Sequence, residues 1–221
     1  MSTTRSRAGN DEPGVALRLE PEVERRLVDG SRFTAEFHMG ESNVHRALNK
    51  LVQRLSALDI PYAIIGALAL NAHGYQRATA DVDVLLTAEG LSRLKEAVVG
   101  RGYVERFPGS RGLRDPENQV DIDVVIAGEY PGDGLEKPVS FPDPSLAALE
   151  GERFRLLALG KLIELKIASG MTAPHRLRDL ADVIELIRAN DLTRELAAEL
   201  DPYVREKYLE LWAAATSARA E

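Results

Sequence analysis

The stretch from Tyr62 to Leu86, YAIIGALALNAHGYQRATADVDVLL, constrains the fold more than any other part of this chain. Tyr62-Ala63-Ile64-Ile65 is a short apolar run that reads as a buried strand. Gly66 breaks it, and Ala67 to Ala72 supply small residues for a helical turn that Gly74 closes. A second strand follows at Asp81-Val82-Asp83-Val84-Leu85-Leu86. Side chains of a strand alternate faces, so Asp81 and Asp83 point one way while Val82 and Val84 point the other. Their Cα atoms then lie roughly 6.6 Å apart, at about 3.3 Å of rise per residue. Paired carboxylates repel each other, and burying them charged is costly unless a cation lies between. Magnesium suits that place, as a hard ion held by one or two carboxylates and completed by substrate phosphate oxygens.

A further acidic strand runs from Gln119 to Ile126, where Asp121 and Asp123 again share a face. A strand, a glycine turn, an Asp-x-Asp strand and a later acidic strand, in that order, resemble the DNA polymerase beta-like nucleotidyltransferases. The matching positions are Gly66-Ala67, Asp81-x-Asp83 and Asp123. Within that superfamily the chain is most similar to the AbiEii-type nucleotidyltransferases, through Arg77-x-Thr79-x-Asp81-x-Asp83. Lys166-Ile-Ala-Ser-Gly and Arg176-Leu-Arg178-Asp179-Leu-Ala-Asp182 point to the same group, and the resemblance spans about residues 44–190.

The resemblance implies an α/β fold: a short mixed β-sheet with flanking helices, followed by a C-terminal helical part. It implies magnesium-dependent transfer of a nucleoside monophosphate from an NTP to an acceptor hydroxyl, with release of pyrophosphate. Two metal ions are expected, Asp81 and Asp83 bridging both and Asp123 completing the shell of the first; such a pair serves the attacking and the leaving oxygen. Gly66, Ala67, Arg77, Thr79, Lys166 and Arg176 are the expected nucleotide-binding residues. Ala67 stands where the family commonly has a second glycine or a serine, which removes a hydroxyl donor and leaves the backbone N–H groups. Asp121 is a departure too, at a position more often non-acidic. The implied acceptor is a tRNA 3′ end, for a toxin of a toxin–antitoxin or phage-defence pair with its antitoxin on a separate chain. A small-molecule acceptor of the aminoglycoside type, and a non-catalytic NTP- or partner-binding protein on the same fold, are the alternatives.

Each of these residues has a plainer reading. Gly66 can be a turn that simply needs glycine, Arg77 a solvated surface residue, and Arg178 with Asp182 an i,i+4 pair on a helix surface. Lys166 continues an apolar helical line, so it either snorkels outward or meets a partner charge.

Composition narrows the partners. A net charge of −7 over 221 residues argues against a protein that coats nucleic acid. The one sizeable basic stretch, from Arg153 to Arg178, holds six Lys or Arg and a single acid, Glu164. The absence of cysteine excludes disulfides, thiol catalysis and cysteine-based zinc sites. His38, His45, His73 and His175 show no metal-ligand spacing, and neither a P-loop nor a Ser-His-Asp pattern is present. The polar N-terminus lacks the apolar core of a signal peptide. The longest apolar stretch, Ala63 to Leu70, is too short to span a membrane. A cytoplasmic protein with no membrane contact is the expectation.

Three parts are expected along the chain: a disordered N-terminus over 1–14, a nucleotidyltransferase core with an N-terminal helical segment over 15–157, and a helical part over 158–221. A short helix is expected around Glu22 to Val28, and a strongly amphipathic one from Val44 to Leu55, with Val44, Ala47, Leu48, Leu51, Val52 and Leu55 on one face. Helix Glu89–Gly100 and short strands near Tyr103–Phe107, Arg111–Asp115 and Phe154–Leu159 come next. Residues from Gly128 to Pro144 read as loop, either covering the site or packed at the surface. Helices Leu162–Ser169, His175–Ala189 and Thr193–Ala218 close the chain.

Overall fold

The computed structural model describes residues 18–26 and 42–217. The readings for 1–14 and for most of Val15 to Met39 lie outside them, and of the helix expected around Glu22 to Val28, residues 21–26 are helical.

Helix α1 (Asn43–Ala57) starts where Ser42 Oγ accepts the Val44 N–H at 3.2 Å, an N-cap that satisfies one orphan donor. Its apolar stripe is buried at Val44, Ala47, Leu48, Leu51, Val52 and Leu55 and lies across two strands that carry the acids. These are β2 (Asp81–Leu86) and β5 (Val120–Ile126), the centre of a seven-stranded mixed sheet. The other strands are β1 (Ala63–Ile64), β3 (Val104–Glu105), β4 (Leu113–Asp115), β6 (Ala148–Glu150) and β7 (Arg155–Leu157). The sheet order is β3-β4-β5-β2-β1-β7-β6, with β2/β5 and β1/β7 parallel and the other neighbours antiparallel.

Alternation explains this placement. In β5 the even positions Val120, Ile122, Val124 and Ile126 are buried, while Asp121, Asp123 and Val125 are half-buried on the other face. In β2, Val82 and Val84 are fully buried between the half-buried Asp81 and Asp83. The apolar faces of both strands join the core, leaving one half-open acidic face.

Helix α2 (Gly66–Ala72) links β1 to the loop before β2, and α3 (Ala88–Val98) follows β2 with Leu91, Leu94 and Val98 inward. The region read as loop is irregular up to Asp143, and it is anchored. Lys137 Nζ donates to Pro131 O at 2.7 Å and pairs with Asp133 at 2.6 Å. Gly132 lies so close to the next long helix that a Cβ there would come 2.3 Å from Thr172 Oγ1. The segment is thus braced internally and packs on that helix at Gly132. Two short elements escaped the sequence reading, α4 (Pro144–Ala147) and β6, because four- and three-residue pieces carry no periodicity.

Helix α5 (Leu159–Thr172) begins earlier than Leu162, and its residues from Leu162 to Gly170 are all buried, so it is a central helix. A 3₁₀ turn at Pro174–Arg176 leads into α6 (Leu177–Ala189). The expected single helix Thr193–Ala218 is two pieces, a 3₁₀ segment Arg194–Ala198 and α7 (Pro202–Ser217). The break has a cause: Pro202 has no N–H to donate and suits a first helical turn, and Asp201 accepts the Tyr203 N–H at 2.9 Å. Helices α5, α6 and α7 pack on one another. No helix among the described residues is long and apolar enough to cross a membrane.

Candidate active site

All nine residues singled out from the sequence line one cleft of about 680 Å³: Gly66, Ala67, Arg77, Thr79, Asp81, Asp83, Asp123, Lys166 and Arg176. They come from five places in the chain. Parallel pairing of β2 with β5 sets Asp83 opposite Asp123 and Asp81 opposite Asp121. The antiparallel pairing of β1 with β2 brings Gly66 against Asp83, fixed by the Ile65 N–H donating to Asp83 O at 3.1 Å.

Gly66 is required twice over. Its φ of +63° is left-handed, and a Cβ would come 1.9 Å from Asp83 Oδ2. The Asp83 carboxylate therefore lies directly over the bare backbone where β1 turns into α2. Burial pushes the Asp83 carboxyl up, to about 6; the charges of Asp81 and Asp123 push the same way, against the opposing pull of Lys166 and Arg77. Such a group lacks a full counter-charge.

The neighbouring acids are engaged. Thr79 Oγ1 donates to the Asp81 carboxylate, and Asp123 pairs with Arg106. Asp121, whose part was left open by the sequence, does not line the cleft and pairs with Arg114 at 2.7 Å. Among the described residues no three carboxylate or imidazole groups converge into a site that could hold a metal ion unaided. The donor chemistry nevertheless fits magnesium, since hard oxygens of Asp81, Asp83 and Asp123 share one cleft and that ion takes its remaining ligands from phosphate. The arrangement suits an ion that arrives with its substrate, not one caged beforehand.

Two of the three cations of the cleft, Lys166 and Arg77, are also paired. Lys166 Nζ reaches Asp179 at 2.9 Å and Asp182 at 2.7 Å, and Arg77 reaches the same Asp182 carboxylate at 2.7 Å. Ser169 Oγ donates to Asp179 at 2.7 Å. Asp182 is buried to 1% exposure, so the helix-surface pair of Arg178 with Asp182 gives way to an internal network. Arg77 is no solvated surface residue: Asn71 accepts its backbone N–H at 2.6 Å and donates to its carbonyl at 3.0 Å, and its Nε is buried with no hydrogen-bond partner. The basic stretch is likewise less free than its composition suggests. Arg155 pairs with Glu150 and Lys161 with Glu164, while Arg176 and Arg178 are exposed. Sequence reasoning missed Arg106, which reaches Asp123, while Pro131, Gly132 and Phe141 of the loop after β5 line the cleft, the covering position that was one of the two readings of that loop. No spacing connects Arg106 to the acids; only the sheet order does.

No protein-family model matches the chain, and no curated protein sequence does. Among solved structures it is similar to ANT(2″)-Ia in complex with adenylyl-2″-tobramycin, at 15% identity and a TM-score of 0.47, over 79% of this chain and 97% of that one. It is also similar to an antigenic nucleotidyltransferase-like protein from Paracoccidioides brasiliensis, at 20% identity and a TM-score of 0.45, over 78% and 92%. JHP933 from Helicobacter pylori follows at 16% identity and 0.42, over 80% of each chain. Likenesses this distant say nothing about the chemistry of this chain.

Proposed function

We propose that this protein is a nucleotidyltransferase of the polymerase-beta-like kind, moving a nucleoside monophosphate from an NTP to an acceptor hydroxyl with release of pyrophosphate. The observation that carries the reading is Asp83, a carboxylate set over the bare backbone of Gly66, opposite Asp123 and two residues from Asp81. Three acids on one face are costly to hold ionised and serve no packing purpose. Asp81, Asp83 and Asp123 would hold magnesium, which when bound neutralises the polyphosphate and the developing pyrophosphate. Gly66 and Ala67 offer backbone N–H groups to phosphate at the start of α2. Asp123, half-buried in the cleft, would help to take the proton of the attacking hydroxyl. Lys166 and Arg77, held in the cleft by Asp179 and Asp182, would turn their N–H donors to the phosphates.

The acceptor we propose is a tRNA 3′ end, with the chain acting as a toxin whose antitoxin is a separate protein; this rests on the AbiEii-type motifs alone. The test is incubation with magnesium, each labelled NTP in turn, and total tRNA, alongside Asp83→Asn. Label on tRNA with the parent protein, lost by at least about a thousandfold in a folded Asp83→Asn protein, is the expected result. Pyrophosphate release only with small hydroxylated acceptors would replace tRNA by a small molecule. NTP binding with no release under either condition would leave a binding protein on this fold.

A further inference from the structure

Asp123 does not stand free in the cleft, because the Arg106 guanidinium holds its carboxylate. Arg106 follows β3 at the outer edge of the sheet, and β4 lies between it and β5. Its side chain crosses that strand where Gly112 precedes β4. A Cβ on Gly112 would come 3.0 Å from Arg106 Cδ, 3.2 Å from Ile122 O and 3.4 Å from an Arg106 terminal nitrogen. The missing side chain is the gap over which the arginine reaches the acid. Two sister pairs run beside it, Arg114 with Asp121 and Arg111 with Glu129. Neither Asp121 nor Glu129 lines the cleft. Arg106 is thus the member of this arginine row whose acid belongs to the candidate active site.

The pair is built to open. Arg106 is 39% exposed and Asp123 42% exposed, and ion pairs so solvated are worth about 0–1 kcal/mol. A guanidinium carries its charge at any physiological pH, so the contact persists until another cation competes for the carboxylate.

We propose that Arg106 is the resident counter-ion of Asp123, and that a divalent cation displaces it before Asp123 can act together with Asp81 and Asp83. This inference rests on the nucleotidyltransferase reading. It accounts for two facts together: three acids share one cleft, and no ready-made three-ligand group exists among the described residues. Displacement makes occupancy by the cation depend on what comes with it, since a polyphosphate adds ligands that outweigh the arginine. Until substrate arrives the arginine balances the charge of Asp123, and repulsion across β2 and β5 is partly relieved.

The experiment is Mn²⁺ titration of the full chain without nucleotide, read by the electron paramagnetic resonance signal of free Mn²⁺, which follows weak sites into the millimolar range. Parent protein, Arg106→Gln, Arg106→Lys and Asp83→Asn are compared after thermal melts show each to be folded. Arg106→Gln is expected to bind Mn²⁺ about fivefold tighter than the parent, the scale set by an exposed pair. Arg106→Lys should fall between the two, because the charge remains without the fork that grips a carboxylate. Equal or weaker Mn²⁺ affinity in Arg106→Gln, with Asp83→Asn clearly weakened, would overturn the counter-ion role and leave the site reading intact. Parent-like binding by Asp83→Asn would place the ion elsewhere and overturn both.

Discussion

Gly66 shows how one residue couples conformation to chemistry. Replacing it with alanine places a Cβ in the left-handed region, at a cost of about 1–2 kcal/mol, and drives that Cβ into the Asp83 carboxylate. Swinging Asp83 aside adds about 1–3 kcal/mol of overpacking. Gly66→Ala should therefore lose roughly 2–5 kcal/mol in urea denaturation, together with its nucleotide affinity. Gly100 is the matched control: its φ is +74° and nothing lies within 4 Å of where a Cβ would stand, so Gly100→Ala should show the conformational cost alone. Equal losses at the two positions would remove the steric claim. The sequence announced that Gly66 ends a strand and starts a helix, since an apolar run met a glycine there. It could not announce that Asp83 lies on top of it, because that closeness belongs to the pairing of β1 with β2 across about twenty residues of chain.

Helices α5 and α6 are joined to the loop before β2 by charge. Asp182 on α6 bridges Lys166 on α5 and Arg77 on the loop, and Asn71 on α2 fixes the Arg77 backbone. Removing a buried partner strands the charge left behind, which costs about 3–5 kcal/mol for fully buried pairs. Arg77 keeps some solvent contact, so Asp182→Ala should cost about 3 kcal/mol by urea denaturation. Lys166 keeps Asp179 as its partner in Asp182→Ala, so the double change Lys166→Met with Asp182→Leu, which strands Asp179 as well as Arg77, should cost more than Asp182→Ala. By contrast, Asp121→Ala, at the exposed Arg114 pair, should shift stability by under about 1 kcal/mol. An Asp182→Ala protein as stable as the parent would mean the network opens to water. Helical faces were legible in the sequence wherever periodicity ran long, as in α1, whose buried set is the one the spacing gives plus His45. The network was half legible: Lys166 on an apolar line demanded a partner charge, yet i,i+4 spacing pointed Asp182 at Arg178, and packing of α5 on α6 turned it inward.

Two ionisable groups near the two ends of α2 give the whole molecule opposing responses to pH. Sheet and helices meet at His73, whose Nε2–H donates to Leu157 O of β7 at 2.9 Å, while Asn190 at the end of α6 donates to its carbonyl at 2.7 Å. Burial holds the imidazole below its usual 6.5; the Leu157 bond opposes this and Arg26 adds to it. The unfolded chain then takes up the proton first, so the His73 contribution is complete above about 6.5 and drains as pH falls below it. Asp83 acts the other way. Its folded carboxyl sits at about 6, above the usual carboxylate range, so the folded state binds its proton first and gains stability as pH falls from above 6 toward 4. Above 6 the ionised Asp83 is a burden on the fold in the absence of a cation, a stability given up for the site. Two comparisons separate these effects in melts taken from pH 8 to pH 5 without divalent metal. Relative to His73→Gln, the parent should lose ground below 6.5. Relative to the parent, Asp83→Asn should melt several degrees higher at pH 8, by about the shift that 1–2 kcal/mol gives a chain of this size, and that advantage should shrink through pH 6. An Asp83→Asn protein that melts at or below the parent at pH 8 would show that the carboxylate is already neutralised without metal, and the crowding of acids on β2 and β5 would not be the property that defines this cleft.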